Sequence, residues 1–238
     1  MTRQRQHPIS RVKFWKKYIL LFCAVLSCMA LSSCFDLVEQ VDMKTDGSGA
    51  IKATLNMSKS RSKVASLMKL KSVNGINIPS EATIKKEMET AVKLLRNTTG
   101  ISNVQYNLDF NNYIATISCD FQSINALNDF TKTLSKQFNS QITSYNSYEF
   151  NNNTQSFKRN YTYMPSIGKE FSKLSAEDRK IFDEAYYTNI VRFNSPVKSS
   201  SHQEAKIASN RKAVFLKVKA TDLITGKANL SNQITLTK

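Results

Sequence analysis

Phe35-Asp36-Leu37-Val38-Glu39-Gln40-Val41-Asp42-Met43-Lys44-Thr45-Asp46-Gly47-Ser48-Gly49-Ala50-Ile51-Lys52-Ala53-Thr54-Leu55-Asn56-Met57 decides the architecture of this chain. Phe35, Leu37, Val41 and Met43 alternate with polar residues, the period-2 pattern of a strand with one buried face. Asp46-Gly47-Ser48-Gly49 follows, a run able to take the positive φ of a tight turn. Ile51, Ala53, Leu55 and Met57 then resume the alternation. The stretch reads as a β-hairpin.

Helical spacing comes next. Val64, Leu67 and Met68 sit three to four apart after Ser58, and Asn74-Gly75 and Pro79 break that segment. Ser80 is placed to cap a second helix, in which Ile84, Met88, Ala91, Val92 and Leu95 form one stripe. Lys85, Lys86, Lys93 and Arg96 lie off the stripe. The theme then recurs. Val104, Tyr106, Leu108 and Phe110 alternate, Asn111-Asn112 turns, and Tyr113, Ala115, Ile117, Cys119 and Phe121 alternate again before a helix carrying Ile124, Leu127, Phe130, Leu134 and Phe138. A third, more polar hairpin runs from Tyr148 and Phe150 through Asn151-Asn152-Asn153 to Phe157, Tyr161 and Tyr163. Pro165 opens a helix with Ile167, Phe171 and Leu174, and Ser175 caps another. From Tyr187 onward the tail reads as strands, with a turn at Thr225-Gly226-Lys227. The expected fold is α+β: an antiparallel sheet of repeated hairpin–helix units, with helices covering one face. With no Gly/Pro/Ser-rich linker, 34–238 reads as a single domain, with a subdivision near 165 as the alternative.

Upstream of the hairpin the pattern changes. Six cations and no acid occupy the first seventeen residues, and an apolar run follows from Tyr18 to Ala30. That run is shorter than the roughly 20 residues a membrane-crossing helix needs, and the layout is that of a secretory signal. Leu31-Ser32-Ser33-Cys34 resembles the bacterial lipobox, which places signal-peptide recognition on Leu31, Ser32 and Ser33 and lipidation on Cys34. Residues 1–33 are therefore expected to leave as a lipoprotein signal peptide. A stop-transfer anchor and an ordinary secretory cleavage site are the alternatives. Asp36 and Glu39 end the apolar character at once, which disfavours the first.

Removing the six signal cations leaves 28 Lys and Arg against 18 acids, a net charge of +10. That balance favours an anionic partner: lipid headgroups, a glycan, or the acidic face of an envelope protein. Nucleic acid fits an exported chain poorly. Beyond Cys34 one cysteine remains, Cys119, in an alternating apolar stretch that reads as core.

Catalytic and metal chemistry find little support. Beyond the signal there is one histidine, His202, in a polar serine-rich loop, so a hydrolase would have to be built on it. Zinc ligands are lacking, and no cofactor is expected. Asp109, Asp120 and Glu149 are carboxylates that no spacing pairs for glycoside chemistry. The aromatic residues of the third hairpin, Tyr145, Tyr148, Phe150, Phe157, Tyr161 and Tyr163, carry two readings: a stacking surface for a sugar or lipid tail, or sheet-to-helix packing. Tyr148, Phe150, Phe157, Tyr161 and Tyr163 are the candidate ligand surface.

Ile190-Val191-Arg192-Phe193-Asn194-Ser195-Pro196-Val197-Lys198-Ser199, with the later Ala205-Lys206-Ile207-Ala208 and Ala213-Val214-Phe215-Leu216, resembles the C-terminal wording of LppM-like lipoprotein domains. The lipobox and the Asp46–Gly49 turn resemble that family's start. Here Asn194-Ser195 precedes the proline where the family often has Phe, and helices are inserted between the hairpins. The resemblance implies a membrane-tethered α+β domain with a lipid- or glycolipid-binding surface. Together these readings give a non-catalytic envelope lipoprotein, anchored by acyl chains on Cys34 and expected in the outer membrane facing the periplasm of a two-membrane cell. It would bind lipid, glycan or an envelope protein. A structural subunit of an envelope complex and an envelope hydrolase are the alternatives.

Overall fold

The computed structural model describes residues 35–73, 76–138 and 146–237. Leu31, Ser32, Ser33, Cys34, the Asn74-Gly75 turn and Tyr145 lie outside them.

The first hairpin forms as its alternation requires. β1 (Asp36–Met43) pairs antiparallel with β2 (Gly49–Asn56). Asp46 closes the turn by accepting from the Ser48 N–H at 2.9 Å and its hydroxyl at 2.7 Å. Gly49 has to be glycine: a Cβ there would lie 2.0 Å from the Asp42 carbonyl oxygen.

A 3-10 turn at Ser58–Ser60 leads into α1 (Arg61–Leu67). A short ribbon of β3 (Ser72–Val73) and β4 (Ile76–Asn77) follows. Next comes α2 (Glu81–Arg96), started by the Ser80 hydroxyl, which accepts from the Thr83 N–H at 3.1 Å. Its buried side chains, Met88, Ala91, Val92 and Leu95, are the stripe read in the sequence. β5 (Ile101–Asp109) and β6 (Ile114–Phe121) make the second hairpin, and Ser123 caps α3 (Ile124–Gln137). The third hairpin is β7 (Asn146–Asn151) and β8 (Ser156–Tyr161). α4 (Pro165–Lys173) and α5 (Ala176–Arg179) follow it. The tail supplies β9 (Tyr186–Phe193), β10 (Val197–Ser200), β11 (Lys206–Ile207), β12 (Ala213–Lys219), α6 (Ala220–Ile224) and β13 (Asn232–Leu236).

The strands assemble into a seven-stranded sheet, order β11-β12-β9-β1-β2-β6-β5, and a four-stranded sheet, order β10-β13-β8-β7. The fold is α+β with helices against one face of the large sheet, as its pattern indicated. Three details differ from the sequence reading. The third hairpin belongs to the second sheet, pairing with β13. β1 and β9 are parallel, as a long return across other elements permits and a hairpin does not. The tail contains α6, whose five residues are too few to display a helical period.

Register explains where the core sits. Val214, Val191, Val41, Ile51 and Cys119 lie side by side across five strands, and all five are buried. The same face presents Phe193, Met43 and Phe121 in the row before it. The opposite face carries Lys52, Asp42, Gln105, Asn107, Lys217 and Lys219, all exposed. The buried face is covered in two parts. α2 and α3 lie over β5, β6 and β2, and the second sheet lies over β1 and β9. One hydrophobic cluster joins them, from Leu95 and Phe130 on the helices to Phe157 and Ile234 on the second sheet. Among the described residues no helix is long and apolar enough to cross a membrane.

Candidate functional site

Between the two sheets, one row departs from apolar packing. Leu216, Asn189, Glu39, Ala53 and Ile117 are successive cross-strand neighbours, so two polar side chains enter the core. Facing them from the second sheet are Tyr148 and Arg159, themselves cross-strand partners. Arg159 is 2% exposed and Glu39 5%. The Glu39 carboxylate accepts from the Tyr148 hydroxyl and from Asn189 Nδ2 at 3.0 Å, and lies 3.7 Å from Arg159 Nη2. That same nitrogen donates to the Tyr187 hydroxyl at 2.6 Å. The guanidinium stands 5.7 and 5.2 Å from the Tyr148 and Tyr187 ring centroids, within cation–π range. Its Nε and Nη1 meet no hydrogen-bond partner among the described residues.

The electrostatics follow from burial. Burial pushes the Tyr148 phenol well above its ordinary value, against the lowering influence of Arg159. Tyr187 rises for the same reason. Burial works to lower the Arg159 pKa, but Tyr148, Tyr187 and Glu39 outweigh it, and the guanidinium stays charged. Buried charge of this kind is costly unless paired and hydrogen-bonded. The cluster spans the two sheets as a fastener, with Glu39, Tyr187 and Asn189 on the large sheet and Tyr148 and Arg159 on the second.

A second feature lies one row along the sheet. Leu37, Leu55, Ala115 and Leu108 are cross-strand neighbours there. Ala53 and Ala115 are small, so this part of the buried face leaves room beneath the helices. Val64 of α1 and Met68 just after it, Ile84 and Met88 of α2, and Leu134 of α3 with Phe138 just after it form the roof. The result is a cavity of about 440 Å³ with walls that are almost wholly apolar, within the size range of small-molecule sites. Three methionines (Met57, Met68, Met88) line it, side chains that reshape easily around an apolar guest. Phe138 is left 40% exposed at its edge.

A larger, open cleft of about 750 Å³ lies at the other end of the strands, lined by Asp42, Lys44, Arg192, Lys212 and Phe215 among others. Arg192 Nη1 is held by Asp42 at 3.2 Å.

The structure separates the residues singled out in the sequence. Tyr148 and Phe157 are each 1% exposed and stack with ring centroids 5.6 Å apart. They are core, and the ligand-surface expectation is corrected for both: alternation points them at the large sheet. Phe150 packs over the first hairpin's turn, 3.3 Å from where a Gly47 Cβ would stand. Tyr161 packs on the second apolar cluster, with Tyr187 and Leu230. Tyr163 is wedged between Gly168 and Gly226 and donates to the Ile224 carbonyl at 3.2 Å. These five rings form no common stacking surface.

His202 uses both ring nitrogens locally. Nδ1 accepts from the Glu204 N–H at 3.2 Å, which leaves Nε2 to donate to the Asn229 carbonyl at 2.9 Å. Asp109 is engaged by Asn112, Asp120 by Asn103 and Glu149 by Asn160. Cys119 is buried, and burial, then Asp120, pushes its thiol up to about 12. Among the described residues no three His, Cys, Asp or Glu side chains gather as a metal site. Glu39, Asn189 and Arg159 were missed by the sequence reading, although each occupies an inward position in an otherwise apolar alternation.

Fold and cavity together define a two-sheet α+β domain with an apolar chamber under its helices. No family model matches the chain, and no curated protein matches it. Among solved structures it is similar to the NMR structure of the folded domain of Mycobacterium tuberculosis LppM, at 12% identity and a TM-score of 0.41, covering 85% of this chain and 88% of that one.

Proposed function

We propose that this protein is a cell-envelope lipoprotein, tethered by acyl chains on Cys34, whose chamber takes the apolar chain of a lipid. The apolar 440 Å³ chamber carries this reading. Its walls offer almost nothing a polar ligand could bond, and each buried methylene gains about 0.8 kcal/mol relative to water. The segment around α1 supports a membrane-facing role. Lys59, Arg61, Lys63, Lys69 and Lys71 fall within thirteen residues that hold no acid, and each cation near an anionic surface contributes about 1 kcal/mol. The work is non-catalytic and needs no cofactor. The local bonding of His202 supports that, since neither ring nitrogen is left to act as a base. Residues 35–39 carry Phe35, not an aspartate, directly after Cys34, which favours the outer membrane, facing the periplasm.

A photoactivatable fatty acid, mixed with the full-length Cys34→Ala chain, tests the chamber. Labelling is expected on peptides containing Met57, Met88 and Ile117, and its loss is expected in an added Ala115→Phe change that fills the space. Labelling that ignores Ala115→Phe, or none on these peptides, contradicts the reading.

The mixed cleft favours a second reading, a glycan site, because Lys44, Arg192 and Lys212 stand beside the exposed face of Phe215. Binding of an acidic oligosaccharide that is lost in Arg192→Ala, with secondary structure intact, would support it.

A further inference from the structure

The chamber is lined by Leu37, three residues after Cys34 in the sequence, and we infer that it houses one acyl chain of this protein's own Cys34. The inference rests on the reading of Cys34 as lipidated and of the chamber as a chain-binding site. Covalent geometry comes first. Leu37 lines the chamber, and Cys34 is three residues before it in the sequence. At a maximum of about 3.5 Å per residue, the two Cα atoms lie within about 10 Å of each other.

Contacts at the strand's start point the same way. Asp36, two residues after Cys34, is paired with Lys59 at 3.3 Å. Lys59 belongs to the turn between Met57, which lines the chamber, and α1, which roofs it. The chamber's Leu37, Leu55 and Ala115 belong to the row at this end of the sheet. The polar cleft sits at the other end of β1, about 20 Å away at strand rise. The start of β1, the end of the strand nearest Cys34 in sequence, thus lies at the chamber's end of the sheet.

Energetics decide the occupant. A chain tethered this closely is present at an effective concentration on the order of millimolar, which a free lipid must match to displace it. Moving it from bilayer to chamber exchanges one hydrocarbon surrounding for another, so the transfer costs little. In water each housed methylene makes release about four-fold less favourable. Two lipid chains suffice for firm anchoring, so a cysteine bearing three can lend one. The device would shield a chain whenever the protein is away from a bilayer, and would close the chamber to other lipids while occupied.

The test uses the wild-type protein made in cells fed a photoactivatable fatty acid, so that the label enters the Cys34 acyl groups and the phospholipids alike. After irradiation, mass spectrometry reads which peptides are joined. A cross-link from the Cys34 acyl group to the 51–57 or 113–117 segment is expected, lost in both Ala53→Phe and Ala115→Phe, while the Cys34 label itself persists. Cross-links from phospholipid to those segments, with none from Cys34, overturn the inference and leave the chamber as a site for free lipid. Absence of both kinds overturns the inference and the lipid-binding reading together.

Discussion

Removing the Glu39 carboxylate tests the fastener between the two sheets. In Glu39→Ala, Arg159 keeps its charge with almost no access to water, Asn189 Nδ2 loses its 3.0 Å acceptor, and the Tyr148 hydroxyl loses its carboxylate. Taking one member from a buried ion pair costs about 3–5 kcal/mol, so a loss of about 4 kcal/mol is expected. For a chain of this size that lowers the melting temperature by about 10 °C. Arg159→Met should cost about 3 kcal/mol by stranding the carboxylate. The double change Glu39→Ala with Arg159→Met removes both charges and should cost about 2 kcal/mol, less than either single change. Urea unfolding followed by far-ultraviolet circular dichroism, in a double-mutant cycle, measures the coupling. Additive costs, or a Glu39→Ala penalty under about 1 kcal/mol, would refute the claim that this cluster joins the sheets.

Three further outcomes follow from particular residues. Cys119 should resist thiol reagents at pH 8 and react only on unfolding, as a timed disulfide-exchange assay can show. Its folded pKa of about 12 exceeds the ordinary 9.0, so its contribution to stability is complete below pH 9 and is lost as pH rises toward 12. Gly226→Ala should cost about 3 kcal/mol by thermal unfolding, because φ is +75° and the new Cβ would sit 2.7–2.9 Å from the Tyr163 ring. Ser80→Ala should cost about 1 kcal/mol through loss of the α2 cap, with Ser80→Asp close to neutral.

Period-2 and period-3.6 patterning made the hairpins and the long helices legible. Val41 and Ile51, or Met88 and Leu95, had only one face that could be buried. Partner choice between distant strands was not legible. Nothing local tells Tyr186–Phe193 to lie parallel to β1, or the polar third hairpin to build a separate sheet with β13. Tyr148 and Phe157 misled because they belong to a hairpin with one wet face, and that face lent polarity to the whole stretch. The fastener did leave a trace. Glu39 breaks the run Leu37, Val41, Met43; Asn189 breaks Tyr187, Val191, Phe193; Arg159 lies between Phe157 and Tyr161. Three polar residues at inward positions of three strands imply that they meet. The chamber's trace is fainter. Ala53 and Ala115 are small residues at inward positions, and only the register puts both under the same helices.

The intact mass of the membrane-extracted protein, measured beside a Cys34→Ala variant, tests the central claim most directly. The expected wild-type mass is that of a chain beginning at Cys34 plus acyl groups, with those groups absent from the variant. A chain that keeps residues 1–33, or one that begins near Cys34 without lipid, would contradict the account of an acyl-anchored envelope protein.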